Sequence, residues 1–304
     1  MVPVTRRIIF YMLLSIVILN YKKPRLTLAC TASLYKFFSK ELDSNTMEII
    51  IVDNHSEDES VVLFEKEIKK QGYTNCHIIA NKANDGFSKG CNLGAKTAKG
   101  SYFLFLNNDT LVEDKSIENM IKYLDQHNEV AILGGQLLNA DRSKQASVGS
   151  FYTPARATAL LLGMQRVGAV DTNPKEVTRV DWVKGALFLI RAEVFKELNG
   201  FDEHIFMYAE DMELCYRAHK KGYATYFYPF CSVLHAEHGS TNRSFAIIQI
   251  YKSLLYFYKK HRSYREYLYI KALLITKAKI LVLAGTILHK QYLTSTYEKA
   301  LSVV

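Results

Sequence analysis

Residues 102–109 read YFLFLNND, a run of five apolar or aromatic residues followed by a polar triplet that ends in Asp109. A short apolar run of this kind is typical of a strand buried on both faces of a parallel sheet. Similar runs, separated by segments long enough for crossover helices, occur at residues 15–19, 48–52, 77–80 and 130–134. The pattern predicts an α/β fold with a mostly parallel central sheet and helices on both faces.

The composition is that of a globular protein with a sizeable core. Of the 304 residues, 49% are hydrophobic and 23% are charged, with only 15 Gly and 5 Pro, which excludes disordered and collagen-like classes. The five Cys form no CxxC pair, so the sequence supports neither a disulfide framework nor a zinc ribbon. We expect a reducing, cytoplasmic compartment.

The net charge of +9 comes from one segment near the end of the chain. Residues 243–290 contain ten Lys and Arg against the single acid Glu266, which leaves 29 basic and 29 acidic residues elsewhere. Because this segment is also rich in Tyr, Phe, Leu and Ile, it suits an anionic membrane surface better than a nucleic acid. The alternative is a solvated pair of basic helices.

Three regions are expected along the chain. Residues 1–11 are expected to be a dispensable extension, because residues 8–21 are too short to span a bilayer and lack a cleavage site. Residues 12–242 are expected to form the main domain, beginning with a strand at 14–19. Residues 243–304 are expected to form basic amphipathic helices that associate with a membrane surface.

The apolar spacing in that last region is helical. Positions 247, 250, 251, 254, 255 and 258 follow the spacing of an amphipathic helix, and a second helical stretch covers residues 267–288. Lys271, Lys277 and Lys279 interrupt the second stretch, and each would cost about 2.5–3.5 kcal/mol at a bilayer centre. We therefore expect an interfacial helix pair on the inner face of the membrane.

Polar residues follow the predicted strands, where ligands of parallel α/β sheets bind. They are Asn20, Asp53, Asn81 and the triplet 107–109. Asp53 could accept hydrogen bonds from a ribose or a base, although a helix N-cap is an equal alternative. Asp109 could supply the one or two oxygens that a divalent cation on a diphosphate needs, and the alternative is a simple turn.

Residues 84–94 place glycines at every fourth position, at 86, 90 and 94. Such glycines allow either close helix packing or close approach of a ligand, and the two interpretations remain equally open for this stretch. Asn84, Gly86 and Asn92 are the candidate ligand contacts. The spacing matches neither the dinucleotide-binding fingerprint nor a P-loop.

Two further motifs could carry catalysis or bind a metal. Glu210 and Asp211 open a predicted helix in which residues 214, 215 and 218 place Asp211 on the buried face. A carboxylate in that position is a candidate general base, and an ordinary acidic helix N-terminus is the alternative. His235 follows another apolar strand, so its imidazole could join Asp109 in holding a cation such as Mn²⁺.

Taken in order, these motifs resemble the family 2 glycosyltransferases with the nucleotide-diphospho-sugar (GT-A) fold, and the rhamnosyltransferase-like branch looks closest. The resemblance covers roughly residues 12–260. The motifs that carry it are SIVILNY (15–21), IIVDNHS (50–56), NKANDGFSKGCNLG (81–94), LNNDT (106–110), GALFLIR (185–191), GFDE (200–203), EDMELCYR (210–217) and VLH (233–235).

The resemblance implies an inverting transfer of a sugar such as rhamnose from a dTDP- or UDP-linked donor. It implies that Asp211 is the catalytic base, supported by Glu210, and that Asp109 and His235 hold Mg²⁺ or Mn²⁺. The donor-binding residues that it implies are Asn20, Asp53, Asn81, Asn84, Gly86, Asn92 and Asn108. The acceptor would be a saccharide or a lipid-linked saccharide in cell-surface polysaccharide biosynthesis.

One position departs from the family pattern. The metal motif is commonly Asp-x-Asp, whereas the first position here is Asn107, which weakens the expected metal site or gives His235 a larger part. Two alternatives remain. A sugar-nucleotide pyrophosphorylase would need a glycine-rich loop after the first strand, which residues 20–24 lack. A non-catalytic, membrane-associated sugar-binding subunit would not need both Asp109 and Asp211.

Overall fold

The computed structural model describes residues 12–162, 173–236 and 242–304. The predicted extension at residues 1–11 lies outside this range.

The described residues form strands and short helices that alternate in the first half of the chain. The strands are β1 (Leu14–Asn20), β2 (Met47–Asp53), β3 (Cys76–Ala80), β4 (Tyr102–Leu106), β5 (Thr110–Val112), β6 (Val130–Leu138), β7 (Val148–Gly149), β8 (Thr178–Val180), β9 (Trp182–Val183), β10 (Leu187–Arg191) and β11 (Ala224–His235). The helices are α1 (Pro24–Asp43), α2 (Ser60–Gln71), α3 (Gly86–Thr97), α4 (Ser116–Gln126), α5 (Pro154–Leu161), α6 (Ala192–Glu197), α7 (Glu210–Lys220), α8 (Arg243–His261), α9 (Tyr264–Ile287) and α10 (Gln291–Leu301).

The central sheet is mixed, with a parallel half at one side. Its strand order is β3-β2-β1-β4-β10-β6-β11-β5, and β8 pairs with β11. Strands β3, β2, β1 and β4 run parallel, whereas β10 lies antiparallel between β4 and β6. The predicted strands of the first 106 residues are confirmed to within a residue. Strands β1, β2 and β4 are buried on both faces, as their continuous apolar runs predict, whereas β3 lies at the sheet edge and is partly exposed.

Residues 182–191 form two separate strands and not one continuous strand. The chain forms β9, breaks at Lys184–Ala186, and continues as β10. The backbone N–H of Lys184 donates to the Ser147 carbonyl, and that of Gly185 donates to a carboxylate oxygen of Asp211. These two hydrogen bonds replace the strand pairing that a continuous strand would need.

Helices cover both faces of the sheet. Helices α1, α2 and α4 pack on the face that carries Ile16, Ile49 and Leu104. Helices α3, α6 and α7 pack on the opposite face, with Val17 and Phe105 among the residues there. This division follows from the strand periodicity, since successive side chains point to opposite faces.

The three helices at the end of the chain form a third layer. Helices α8, α9 and α10 share a buried cluster with α5 and with Met212 and Tyr216 of α7. Four of the six apolar α8 positions in the predicted stripe are buried, namely residues 251, 254, 255 and 258. The expectation that this face of α8 contacts a membrane was therefore wrong, because the face packs on the protein itself.

No helix in the described ranges combines the length and apolar character needed to cross a bilayer.

Candidate active site

A chain of hydrogen bonds links the carboxyl ends of β1, β2 and β4. The Asn108 amide donates to the Thr27 hydroxyl at 3.0 Å, and that hydroxyl donates to the Asn20 side-chain oxygen at 2.8 Å. The Asn20 amide donates in turn to Asp53 at 2.7 Å, and Asp53 also accepts from the Ser56 hydroxyl at 2.5 Å. The predicted residues at positions 20, 53 and 108 are therefore brought together at one edge of the sheet.

Asn20 and Asp53 lie beneath the surface of this edge. Asn20 is fully buried, and Asp53 is nearly so and also accepts from the Ser56 backbone N–H. Asn20 and Asp53 thus brace the start of α1 and the loop after β2. Direct donor binding by these two side chains stays a prediction.

A second network forms where β3 meets the start of α3. The Asn54 amide donates to the Asn84 side-chain oxygen, and the Asn81 amide donates to that of Asn54, both at 2.9 Å. Gly86 has a φ of +90°, and a Cβ at this position would lie 2.3 Å from the Phe206 carbonyl oxygen. Glycine is required here because both the left-handed backbone and the close approach exclude other side chains.

Asn92 lies deeper in α3 and binds protein groups at both ends of its amide. Its nitrogen donates to the Phe201 carbonyl and to Glu203, and its oxygen accepts from the Phe201 backbone N–H at 2.9 Å. The geometry assigns Asn92 to holding the loop at residues 200–203. A direct contact with a donor, expected from the motif, stays a prediction.

Asp109 and His235 face each other across the sheet edge. The Asp109 carboxylate lies 3.4 Å from His235 Nε2, and the two side chains are 9% and 11% exposed. The Asn107 amide also lies 3.4 Å from Nε2. Strand pairing explains this closeness, because β11 pairs with β5 and brings His235 opposite Thr110.

The donor set suits a divalent cation that is also held by a substrate. One carboxylate and one imidazole nitrogen point at the same space, and a cation on a diphosphate needs only one or two protein ligands. Across residues 12–162, 173–236 and 242–304, no group of three or more His, Cys, Asp or Glu converges as a complete protein metal site. The residues present therefore fit a cation whose remaining ligands come from diphosphate and water.

Asp211 lies in the first turn of α7 with its carboxylate held by two backbone groups. One oxygen accepts from the Gly185 N–H at 2.9 Å, and the other accepts from the Met212 N–H at 2.7 Å. Burial raises the pKa of Asp211 above its ordinary value, although these hydrogen bonds and the Lys184 charge oppose that effect. The predicted inward orientation is confirmed by the complete burial of Leu214 and Cys215 on the same face.

Glu210 is buried beside Asp211, and its Oε2 atom has no hydrogen-bond partner in the described part of the chain. Burial raises the pKa of Glu210, and the negative charge of Asp211 raises it further. We therefore expect Glu210 to be protonated at neutral pH while Asp211 is the member of the pair that carries the charge.

Two backbone contacts join the metal-side residues to Asp211. The Asn107 N–H donates to the Ala186 carbonyl at 3.1 Å, and the preceding residue, Gly185, donates to Asp211. The dipeptide 185–186 therefore lies between the turn that carries Asp109 and the carboxylate of Asp211. The break between β9 and β10 is what makes both contacts possible.

A buried ionic cluster ties α7 to α8 two residues beyond Asp211. The fully buried Glu213 accepts from Arg217, from Lys260 at 2.9 Å and from His261 at 2.9 Å. Lys260 also pairs with Asp202 of the loop at residues 200–203. The sequence interpretation missed this cluster, because it joins residues about 47 positions apart.

The chain belongs to glycosyl transferase family 2. The family model matches residues 15–198, which is more than half of the chain and includes both the strand-end polar residues and Asp109. The predicted resemblance to this family is confirmed.

Two relatives extend this finding. Rhamnosyltransferase WbbL of Escherichia coli K12 is 30% identical over 154 residues, which make up 49% of this chain and 57% of that protein. The N-acetylglucosaminyl-diphospho-decaprenol L-rhamnosyltransferase of Mycobacterium tuberculosis is 41% identical over 64 residues, or 21% of each chain. The matched regions span less than two thirds of either relative.

A solved structure shows the fold. The mannosyltransferase PcManGT of Pyrobaculum calidifontis, solved with GDP-Man and Mn²⁺, superposes with a TM-score of 0.58 at 14% identity, covering 95% of this chain and 85% of that one. The predicted GT-A fold is confirmed by this likeness.

Proposed function

We propose that this protein is an inverting glycosyltransferase that moves a sugar from a nucleoside-diphosphate donor to a saccharide or lipid-linked saccharide acceptor. The proposal rests on the position of residues 185–186 between the two candidate groups. Gly185 donates a backbone hydrogen bond to Asp211, and Ala186 accepts one from Asn107 in the turn that carries Asp109. A positioned base and a candidate diphosphate site thus share one edge of the sheet. Two such groups in reach of one substrate suit the transfer of a sugar between two oxygens.

Asp211 is the proposed catalytic base. Its carboxylate would accept the proton of the acceptor hydroxyl as that oxygen attacks the anomeric carbon, and the nucleoside diphosphate would leave from the opposite side. Attack in line with the departing group inverts the configuration of that carbon. The N–H groups of Gly185 and Met212 fix the direction of the carboxylate, and its raised pKa makes it a stronger base than an exposed aspartate.

Asp109 and His235 would hold a divalent cation, either Mg²⁺ or Mn²⁺. Such a cation neutralises charge on the departing diphosphate when it is bound. The 3.4 Å separation of the two side chains supports this assignment, as does the presence of Mn²⁺ in the PcManGT structure. Asn107 replaces a second carboxylate, so we expect the donor diphosphate to contribute strongly to cation affinity.

Rhamnose, delivered from a dTDP- or UDP-linked donor, is the sugar we propose. The names of the two relatives support rhamnose, and the mycobacterial protein acts on a lipid-linked acceptor by its name. We accordingly place the reaction in cell-surface polysaccharide biosynthesis, on the cytoplasmic side of the membrane.

Helix α9 carries the proposed membrane contact. Ile280, Leu283 and Ile287 of the helix and Leu288, which directly follows it, are between 58% and 66% exposed, and we name this set the α9 stripe. Lys279 and Lys290 flank the stripe and are exposed as well. An apolar stripe with neighbouring cations suits insertion into the headgroup region of an anionic bilayer.

Vesicle sedimentation tests the membrane contact. We expect the wild-type protein to sediment with phosphatidylglycerol vesicles and to be released from them by high salt. It should not sediment with phosphatidylcholine vesicles. Leu283→Glu should weaken sedimentation several-fold, whereas Val62→Glu, a matched change of an exposed apolar residue on α2, should not. Equal binding by both variants would contradict the assignment, and so would a protein that only detergent releases.

A nucleotide-sugar panel tests the transfer reaction. We expect nucleoside diphosphate to be released from one of the dTDP-, UDP- or GDP-linked donors in the presence of an oligosaccharide acceptor and Mg²⁺ or Mn²⁺. Chelation should abolish the release. Absence of both turnover and binding with every donor would contradict the proposed function.

A further inference from the structure

Gln145 contacts His235 through both ends of its side-chain amide. Gln145 is buried in the loop between β6 and β7, in a region whose sequence shows no recognisable pattern. Its Nε2 atom lies 2.8 Å from the His235 backbone carbonyl, and its Oε1 atom lies 2.8 Å from His235 Nδ1. One side chain therefore binds the main chain and the imidazole of the same residue.

These contacts determine which way the Gln145 amide points. A backbone carbonyl only accepts hydrogen bonds, so the atom that faces it must be the amide nitrogen. The same nitrogen also donates to the side-chain oxygen of Asn139 at 2.8 Å. The oxygen Oε1 is consequently the atom that faces His235 Nδ1.

The orientation of the amide then determines the protonation of one ring nitrogen. Because a carbonyl oxygen only accepts, His235 Nδ1 must carry a proton and donate it to Gln145. In the neutral ring this leaves the lone pair on Nε2, the nitrogen that lies 3.4 Å from Asp109. A histidine needs such a lone pair to bind a metal, and the hydrogen bond at its other nitrogen selects it.

We infer that Gln145 is a positioning residue that fixes His235 in the Nδ1–H tautomer, so that Nε2 and the Asp109 carboxylate form the protein half of a divalent-cation site. The inference rests on the proposed function for the cation site of Asp109 and His235 and for its substrate, a nucleoside diphosphate. Gln145 acts through His235 and is not itself proposed as a ligand of the cation.

Several hydrogen bonds hold the backbone of Gln145 in place. The Gln145 N–H donates to the Leu137 carbonyl at 2.9 Å, and the Gln145 carbonyl accepts from Gln136 at 3.0 Å and from Asn173 at 2.6 Å. Gln136 is almost fully buried and donates to backbone groups and to Ser147, and none of its contacts reaches His235. Gln136 is therefore the natural control for a glutamine that supports only the loop.

Two measurements test the inference. In metal-free protein with ¹⁵N-labelled histidine, long-range ¹H–¹⁵N spectra should show a protonated, pyrrole-type Nδ1 and a pyridine-type Nε2 for His235. Electron paramagnetic resonance should then give the affinity for Mn²⁺, alone and with UDP. We expect Gln145→Leu to lose the Nδ1–H signature and to weaken Mn²⁺ binding by about 10–100-fold.

A matched variant separates positioning from folding. Gln136→Leu leaves the Gln145 amide in place against His235, so it should keep the tautomer and bind Mn²⁺ within a few-fold of wild type. The inference is overturned if wild-type His235 shows an Nε2–H tautomer, or if Gln136→Leu weakens Mn²⁺ binding as much as Gln145→Leu does. The correct tautomer and Mn²⁺ binding without any sugar transfer would refute the proposed function and leave the inference standing.

Discussion

Replacing Glu213 by Gln should destabilise the protein by about 3 kcal/mol at pH 7. The carboxylate is fully buried and accepts hydrogen bonds from Arg217, Lys260 and His261. Breaking a buried ion pair typically costs about 3–5 kcal/mol. We take the lower end because glutamine keeps one oxygen acceptor, and because Lys260 retains Asp202 as a partner.

The pH dependence of this cost follows from the pKa of Glu213. Burial alone would raise that pKa, but the hydrogen bond from His261 and the charges of Arg217 and Lys260 outweigh it and lower the pKa below the ordinary value of 4.5. A carboxyl whose pKa is lowered in the folded state stabilises the protein at pH values above its pKa in the unfolded state. This stabilisation is lost as the pH falls through the pKa of the folded state. The difference between wild type and Glu213→Gln should therefore stay constant from pH 7 to about pH 4.5 and shrink as the pH falls below that value.

Urea unfolding followed by circular dichroism measures this difference. Glu65→Gln on α2 is the matched control, because Glu65 is exposed, and it should change the free energy of unfolding by less than about 0.5 kcal/mol. The reasoning fails if the free energy of unfolding of Glu213→Gln at pH 7 lies within about 1 kcal/mol of the wild-type value, because about 1 kcal/mol is the typical effect of a point mutation. It also fails if the difference is independent of pH.

Two further substitutions probe the site. Glu210→Gln should stabilise the protein at pH 8 and have little effect at pH 4. Burial and the charge of Asp211 raise the pKa of Glu210, so its ionisation becomes costly in the folded state as pH rises. Urea midpoints at the two pH values measure this effect, and a loss of stability at pH 8 would contradict it. Asn92→Ala should lower the free energy of unfolding by about 1–3 kcal/mol, because the Phe201 N–H and carbonyl lose their hydrogen-bond partner. Unchanged thermal stability would show that the Asn92 amide does not hold the loop at residues 200–203.

Local patterns were enough to predict the parallel half of the sheet. The run at residues 102–106 is apolar at every position because both faces of β4 are covered, and that signal lies within the strand itself. The direction of Asp211 was predictable for the same reason, since the helical spacing of residues 214, 215 and 218 is local. Neither prediction needed knowledge of distant contacts.

Long-range contacts account for what the sequence did not predict. The break before β10 depends on Asp211, which lies 26 residues away from Gly185. The tautomer of His235 depends on Gln145, which is 90 residues away. The apolar face of α8 was recognised, but periodicity cannot say whether a membrane or another helix covers it, and α7, α9 and α10 do so here.

Turnover by Asp211→Asn, measured beside donor binding, tests the central claim most directly. Asparagine keeps the shape of the side chain and one acceptor oxygen but cannot take up the acceptor proton. We predict that donor-dependent release of nucleoside diphosphate falls by about 10²–10⁴-fold while the affinity for the donor stays within a few-fold of wild type. Turnover retained at the wild-type rate would contradict the assignment of Asp211 as the catalytic base.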